Sequence, residues 1–151
     1  DLKLSRGLGD VYKRQVAICL LAISVAGCGG DPSDPKTLFE AGNKDHELIE
    51  EYIRKEIDKP DGELTKEDLL KVESLTLPGR PRAISDIGPL RGLVNLKRGS
   101  LQHNDIEDLT PLYGMKNLSY IFLNDNPPLT MDDINGLKEA LPHCNVAHSI
   151  K

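Results

Sequence analysis

Residues 84–96 and 106–118 carry one pattern at a fixed offset of 22, with no gap. Ile84, Asp86, Pro89, Leu90, Gly92, Asn95 and Leu96 recur as Ile106, Asp108, Pro111, Leu112, Gly114, Asn117 and Leu118. The match continues through Leu101 with Leu123 and Asn104 with Asn126. Self-similarity at a period of about 20–50 residues marks stacked, quasi-one-dimensional architectures, because a single copy cannot bury its own apolar row. No other feature narrows the fold as far. The length of 151 residues agrees with one domain rather than two.

Written as a frame, Leu118-x-x-Ile121-x-Leu123-x-x-Asn126 gives L-x-x-L-x-L-x-x-N. Leu96, Gly99, Leu101 and Asn104 form a second copy, and Val72, Leu75 and Leu77 begin an earlier one. Leu141-x-x-Cys144-x-Val146 is the expected closing copy, which sets the strand spacings at 24, 22 and 23 residues. Each copy offers one short strand whose inward side chains alternate with outward ones. Asn104 and Asn126 fall where the chain turns out of the strand, where their amides can satisfy backbone groups of adjacent turns. They are expected to form a structural ladder.

From about Glu63 to Val146 the chain resembles the bacterial leucine-rich repeat proteins of the internalin-like kind. The Asp86…Pro89-Leu90 and Asp108…Pro111-Leu112 columns match that family's convex 3₁₀ turns. The resemblance implies an α/β solenoid: a short leucine-rich repeat with about four parallel strands. It also implies a closing repeat in which a helix, about Met131 to Leu141, precedes a last strand. Thr130 suits its N-cap, with Asp132 and Asp133 in the first turn complementing the helix dipole. One residue departs from the frame. Gly99 stands where a leucine or isoleucine belongs, so a void or pinch is expected there, filled to advantage by Gly99→Leu.

A solenoid needs its first apolar face covered. Leu48, Ile49, Tyr52, Ile53 and Ile57 recur at helical spacing between Asn43 and Asp58, and the Lys59-Pro60-Asp61-Gly62 turn stops that helix. Thr65-Lys66-Glu67-Asp68 reads as a capping box opening a second, short helix. Residues 43–72 are therefore expected to be a helical cap and 73–151 the repeat domain.

The amino-terminal region reads as address. Asp10-Val11-Tyr12-Lys13-Arg14-Gln15 resembles the translation of a transposon-end sequencing adapter, so residues 1–15 are expected to be an artefact and stand outside the fold. Residues 16–28 combine an apolar run, too short to span a bilayer as a helix, with Val25-Ala26-Gly27-Cys28. The latter resembles the lipobox of bacterial lipoproteins. That resemblance implies lipidation at Cys28, a signal peptide removed before it, and a place on the cell envelope. With Gly29 rather than Asp after the cysteine, it also implies the outer membrane if the host is diderm. Acyl chains supply roughly 0.8 kcal/mol of membrane affinity per buried methylene. Residues 29–42, rich in Gly, Pro and Asp at their start, are expected to be a tether.

Charge limits the partners. The whole chain carries −5. Residues before Cys28 hold four basic and two acidic side chains, so the remainder has 15 basic against 22 acidic. Such a balance disfavours nucleic acid, whose binding rests on phosphate neutralisation. His143, Cys144 and His148 are near in sequence, but alternation turns Cys144 inward and His143 outward, which suits a buried thiol better than a metal site. His46 and His103 look isolated. No nucleophile elbow, phosphate loop or cofactor motif occurs, so no catalytic residue, metal or cofactor is expected.

The outward strand positions are Ser74, Thr76 and Pro78; Arg98, Ser100 and Gln102; Tyr120, Phe122 and Asn124; and His143, Asn145 and Ala147. Aromatic and arginine side chains dominate interface energetics. Arg98, Tyr120, Phe122 and Asn124 are thus the candidate protein- or peptide-binding residues of the concave face. The other reading is a structural or envelope-assembly lipoprotein with no dedicated ligand.

Overall fold

The computed structural model describes residues 34–150. The adapter-like segment, the signal region and Cys28 lie outside the described residues. Among the described residues three helices come first: α1 (Pro35–Leu38), α2 (Lys44–Glu56) and α3 (Lys66–Leu69). Strand β1 (Ser74–Thr76), a 3₁₀ turn (Gly88–Gly92), β2 (Arg98–Ser100), a second 3₁₀ turn (Thr110–Leu112) and β3 (Tyr120–Phe122) follow. Helix α4 (Met131–Ala140) and β4 (Asn145–Ala147) close the order.

The strands form one parallel sheet in sequence order, β1-β2-β3-β4. Arg98 is registered with Ser74 on one side and Tyr120 on the other, and Tyr120 with Asn145. Parallel neighbours need a crossover between them. Here each crossover is one convex passage holding a 3₁₀ turn or, before β4, a helix. This is a leucine-rich-repeat-type α/β fold, as the 22-residue period implied.

The core is the set of repeat columns. Val72, Leu96 and Leu118 stack as one buried row, and Leu77, Leu101 and Leu123 as another, none more than 4% exposed. On the convex side Ile84 with Ile106, Ile87 with Leu109, Leu90 with Leu112, and Leu93 with Met115 are buried in the same way. Each 3₁₀ turn begins on its repeat aspartate. Asp86 Oδ1 accepts the Gly88 N–H and Asp108 Oδ1 the Thr110 N–H, both at 2.8 Å, with a proline at the start of each turn. Short carboxylate side chains make this local bond readily, which explains why Asp, Pro and Leu recur together.

Helices α2, α3 and α4 begin on side-chain caps, those at Thr65 and Thr130 as expected. Asn43 Oδ1 accepts the Asp45 and His46 N–H groups at the start of α2. Thr65 and Asp68 form a reciprocal capping box on α3, as do Thr130 and Asp133 on α4. Helix α2 buries Leu48, Ile49 and Ile53 and packs against β1 and the first 3₁₀ turn.

Three expectations need correction. Residues 34–42 are not a free tether: Asp34 caps α1, and Leu38 is 2% exposed within the core. Leu38 lies against Gly92, where a Cβ would run into its methyl groups, whereas Gly114 one coil later has open space. The glycine column is thus required at Gly92 by the docking of α1, not by the repeat.

The second correction concerns Gly99. No void exists there. A Cβ built on Gly99 lies 2.5 Å from Ile121 Cδ1, so the neighbouring strand's isoleucine already fills the position a leucine would take. The third is the closing register. Val146, not Cys144, pairs with Ile121, which makes the last spacing 25 residues instead of 23. Leu141 terminates α4, its N–H bonded to the Leu137 carbonyl, so it belongs to the helix and not to the strand frame.

Candidate functional site

Two rows of side chains project from the solvent side of the sheet. Ser74, Arg98, Tyr120 and Asn145 make one, and Thr76, Ser100, Phe122 and Ala147 the other. The two-residue shift in the closing register preserves alternation, so Asn145 and Ala147 still face outward. Arg98 and Tyr120 are adjacent across β2 and β3, and Phe122 follows Tyr120 on the same face. The structure therefore brings these three predicted residues together. Tyr120 is 50% exposed and Phe122 41%.

Among the described residues, the surroundings leave this cluster uncovered. Ser100 and Ala147 flank Phe122 with small side chains. Arg98 is the one charged residue in the two rows, and its guanidinium has no ion pair or hydrogen bond among the described residues. The nearby acids are committed elsewhere: Glu73 pairs with Lys97 at 2.8 Å, and Asp125 with His103 at 3.1 Å. Asn124, the fourth predicted residue, is different. It is half-buried at the end of β3, and its side-chain oxygen is buried without a hydrogen-bond partner among the described residues. It supports the edge of the face more than it projects from it.

The asparagines run along the interior. Asn104 Oδ1 accepts the Ile84 N–H at 2.8 Å while its amide nitrogen donates to the Leu101 and Gln102 carbonyls. Asn126 repeats the arrangement one coil on: Oδ1 accepts the Ile106 N–H at 3.2 Å, and the nitrogen donates to Leu101 and Leu123. Both are buried, at 0% and 3% exposure. Such groups left unpaired would be costly, since no water reaches them.

A second ladder was missed at the other end of the strands. Asn95 Nδ2 donates to the Leu70 carbonyl and Asn117 Nδ2 to the Val94 carbonyl, both at 2.9 Å. In the closing repeat His143 Nε2 donates to the Lys116 carbonyl at 2.7 Å. The three acceptors Leu70, Val94 and Lys116 are themselves one repeat column. His143 thus occupies the rung an asparagine fills elsewhere. The signal available in sequence was the identity of Asn95 with Asn117, which have the same spacing as the buried pair.

The remaining histidines and the thiol have structural settings too. His46 is buried, not isolated: the Glu40 N–H donates to its Nδ1 at 2.9 Å, which places the ring proton on Nε2, 3.0 Å from Asp86 Oδ2. Asp45 Oδ2 beside it accepts from Ser85 N, Ser85 Oγ and Asp86 N at 2.8–2.9 Å. This network ties α2 to the first repeat. Cys144 is a buried free thiol, and burial pushes its pKa up. That is opposite to the shift a reactive thiolate needs. Asp68 is held well below the usual carboxylate range, first by Lys59 and then by Lys71 and the Thr65 groups. Among the described residues no group of three or more His, Cys, Asp or Glu side chains is placed to hold a metal ion.

No protein-family model matches the chain, and no curated protein matches it. Among solved structures, it is similar to the CBM51-2 and INT domains of Clostridium perfringens ZmpB, at 16% identity and a TM-score of 0.43, over 82% of this chain and 29% of that one. An internalin (inlF) from Listeria monocytogenes gives 19% identity and a TM-score of 0.43, over 83% of this chain and 48% of that one. Internalin C2 from the same organism gives 17% and 0.33, over 85% and 73%. The chain thus spans less than half the length of the first structures it resembles. What carries the leucine-rich repeat assignment is the in-order parallel sheet and the residue columns that build it.

Proposed function

We propose that this protein is a leucine-rich repeat lipoprotein of the bacterial envelope that binds a protein or peptide through the open face of its sheet. Lipid on Cys28 would hold it at the membrane, in the outer membrane if the host is diderm. The reading is of a non-catalytic protein with no cofactor, metal or nucleic-acid partner. The observation that carries the binding role is the exposed cluster of Arg98, Tyr120 and Phe122. Two aromatic rings and an unpaired guanidinium, set among Ser74, Thr76, Ser100 and Ala147, are out of place on a purely structural surface. Buried columns and ladders account for the stability of the fold, and none of them needs these three side chains.

The test has two arms. Crosslinked capture from envelopes with wild-type protein, Tyr120→Ala and Phe122→Ala should recover a ligand that either substitution loses. Equal recovery removes the face from consideration and favours the second reading, a structural or envelope-assembly lipoprotein. Labelled palmitate should enter the wild type and not Cys28→Ala; unchanged labelling rejects the anchor.

A further inference from the structure

We infer that the open face takes an extended partner segment bearing a carboxylate and an apolar side chain two residues apart. The carboxylate meets Arg98, and the apolar group packs against Phe122 and Tyr120. This deepens the reading of the face as a binding surface and rests on it.

Charge sets the first half of the argument. A chain in which acids outnumber bases nevertheless places a single charge on the outward rows of its sheet, and that charge is Arg98. Every other strand-borne outward residue is neutral: Ser74, Thr76, Ser100, Tyr120, Phe122, Asn145 and Ala147. Lys97, next to it in sequence, is neutralised by Glu73, and Lys55, Lys59 and Lys71 by carboxylates of the cap. Arg98 has no such partner among the described residues and lies over no aromatic ring. Its planar fork is suited to carboxylate oxygens, and a charge-assisted bond formed beside aromatic rings is stronger than one in open water.

Geometry sets the second half. Arg98 and Tyr120 are register partners on adjacent strands, and Phe122 is two residues beyond Tyr120. Strands lie about 4.8 Å apart and residues i and i+2 about 6.6 Å, so Arg98 and Phe122 stand roughly 8 Å apart diagonally. An extended chain repeats its same-side side chains at about 6.6 Å, and the long, flexible Arg98 side chain spans the difference. Ser100 and Ala147 on either side of Phe122 leave lateral room for an aliphatic or aromatic group against the ring. A segment of this kind brings the charge that the face lacks and covers the apolar surface it exposes.

Selection on the full chain tests this with a phage-displayed random heptapeptide library. Parallel rounds use wild type, Arg98→Gln and Phe122→Ser, each checked for an unchanged melting temperature. Wild type should enrich Asp or Glu with an apolar residue two positions away. Synthetic copies of the selected peptides should bind Arg98→Gln about tenfold more weakly, or worse, and replacing their acid with the amide should remove that difference. Peptides that need Phe122 but show no acidic preference, or keep it on Arg98→Gln, overturn the inference while leaving the face as a binding surface. Failure to select any peptide sensitive to either substitution overturns both.

Discussion

The junction between successive repeats and the junction between α2 and the first repeat bury similar aliphatic side chains but satisfy their polar groups differently. Between repeats, strands bond strand to strand and Asn104 and Asn126 close the turn backbones from within. Between α2 and the first repeat, no strand among the described residues lies beside β1 on that side. There, the side chains of Asn43, Asp45 and His46 reach across to Ser85 and Asp86. A repeat can be joined by copies of itself, because the same column faces the same column. A helix offers no free backbone to its neighbour, so charged and amide side chains must substitute. One junction is therefore distributed over many equal rungs, and the other is concentrated in three residues at the start of α2.

That contrast is easiest to break in the repeats. Leu101→Ala removes a fully buried member of the inner column and should cost about 2–5 kcal/mol. The loss should appear in one cooperative denaturation transition; a small change confined to one probe would show that the coils do not share a core. Gly99→Leu comes next. Since Ile121 Cδ1 occupies the space, overpacking should lower stability by about 1–3 kcal/mol. Pairing Gly99→Ala with Ile121→Val should be less harmful than the sum of the two, because the methyl added takes the room of the methyl removed.

Asn104→Ala should cost about 1–3 kcal/mol, and Asn117→Ala, on a more exposed rung, about 0.5–1.5 kcal/mol. Equal denaturation midpoints for both variants and wild type would remove the ladders as stabilising features. Asp45→Ala sharpens the other side of the comparison. Amide exchange should speed up at Ser85 and Asp86 and through α2, while β3 and β4 keep their protection. Uniform acceleration would mean that the α2 junction and the repeats unfold as one.

The smallest effect is one of pH. Asp68 has a folded pKa below its unfolded one, so its contribution is present above the ordinary carboxylate range and is lost as pH falls toward the folded value. Below about pH 4 the wild type should lose stability more steeply than Asp68→Asn. Parallel acid profiles would discount the Lys59 and Lys71 contacts.

Much of the fold could be read from residue identity because equivalent positions meet equivalent surroundings. Ile84 and Ile106, or Asp86 and Asp108, match for reasons that the buried columns and the 3₁₀ turns make plain. The open face could be read as well, since strand alternation alone placed Arg98 beside Tyr120 and Phe122. The misreadings share a cause, namely effects that cross from one element to another. Gly99 looked like a hole because a frame gives volumes column by column and cannot show Ile121 leaning over from the next strand. A shift of two residues in β4 changes no side chain's face, so periodicity could not separate Cys144 from Val146 in the Ile121 column. His143 escaped notice because a histidine replaces an asparagine on its rung. His46 escaped because its side-chain partner, Asp86, is 40 positions away, in the first repeat.

The docking of α1 sets a limit on reach. The folded body begins by Asp34, which leaves only residues 29–33 between it and Cys28. Six peptide steps span at most about 20 Å even when drawn straight. If lipid on Cys28 anchors the chain as proposed, that bound would keep the folded body within a thin shell above the headgroups, and a partner of its open face would have to come to the bilayer or already reside there.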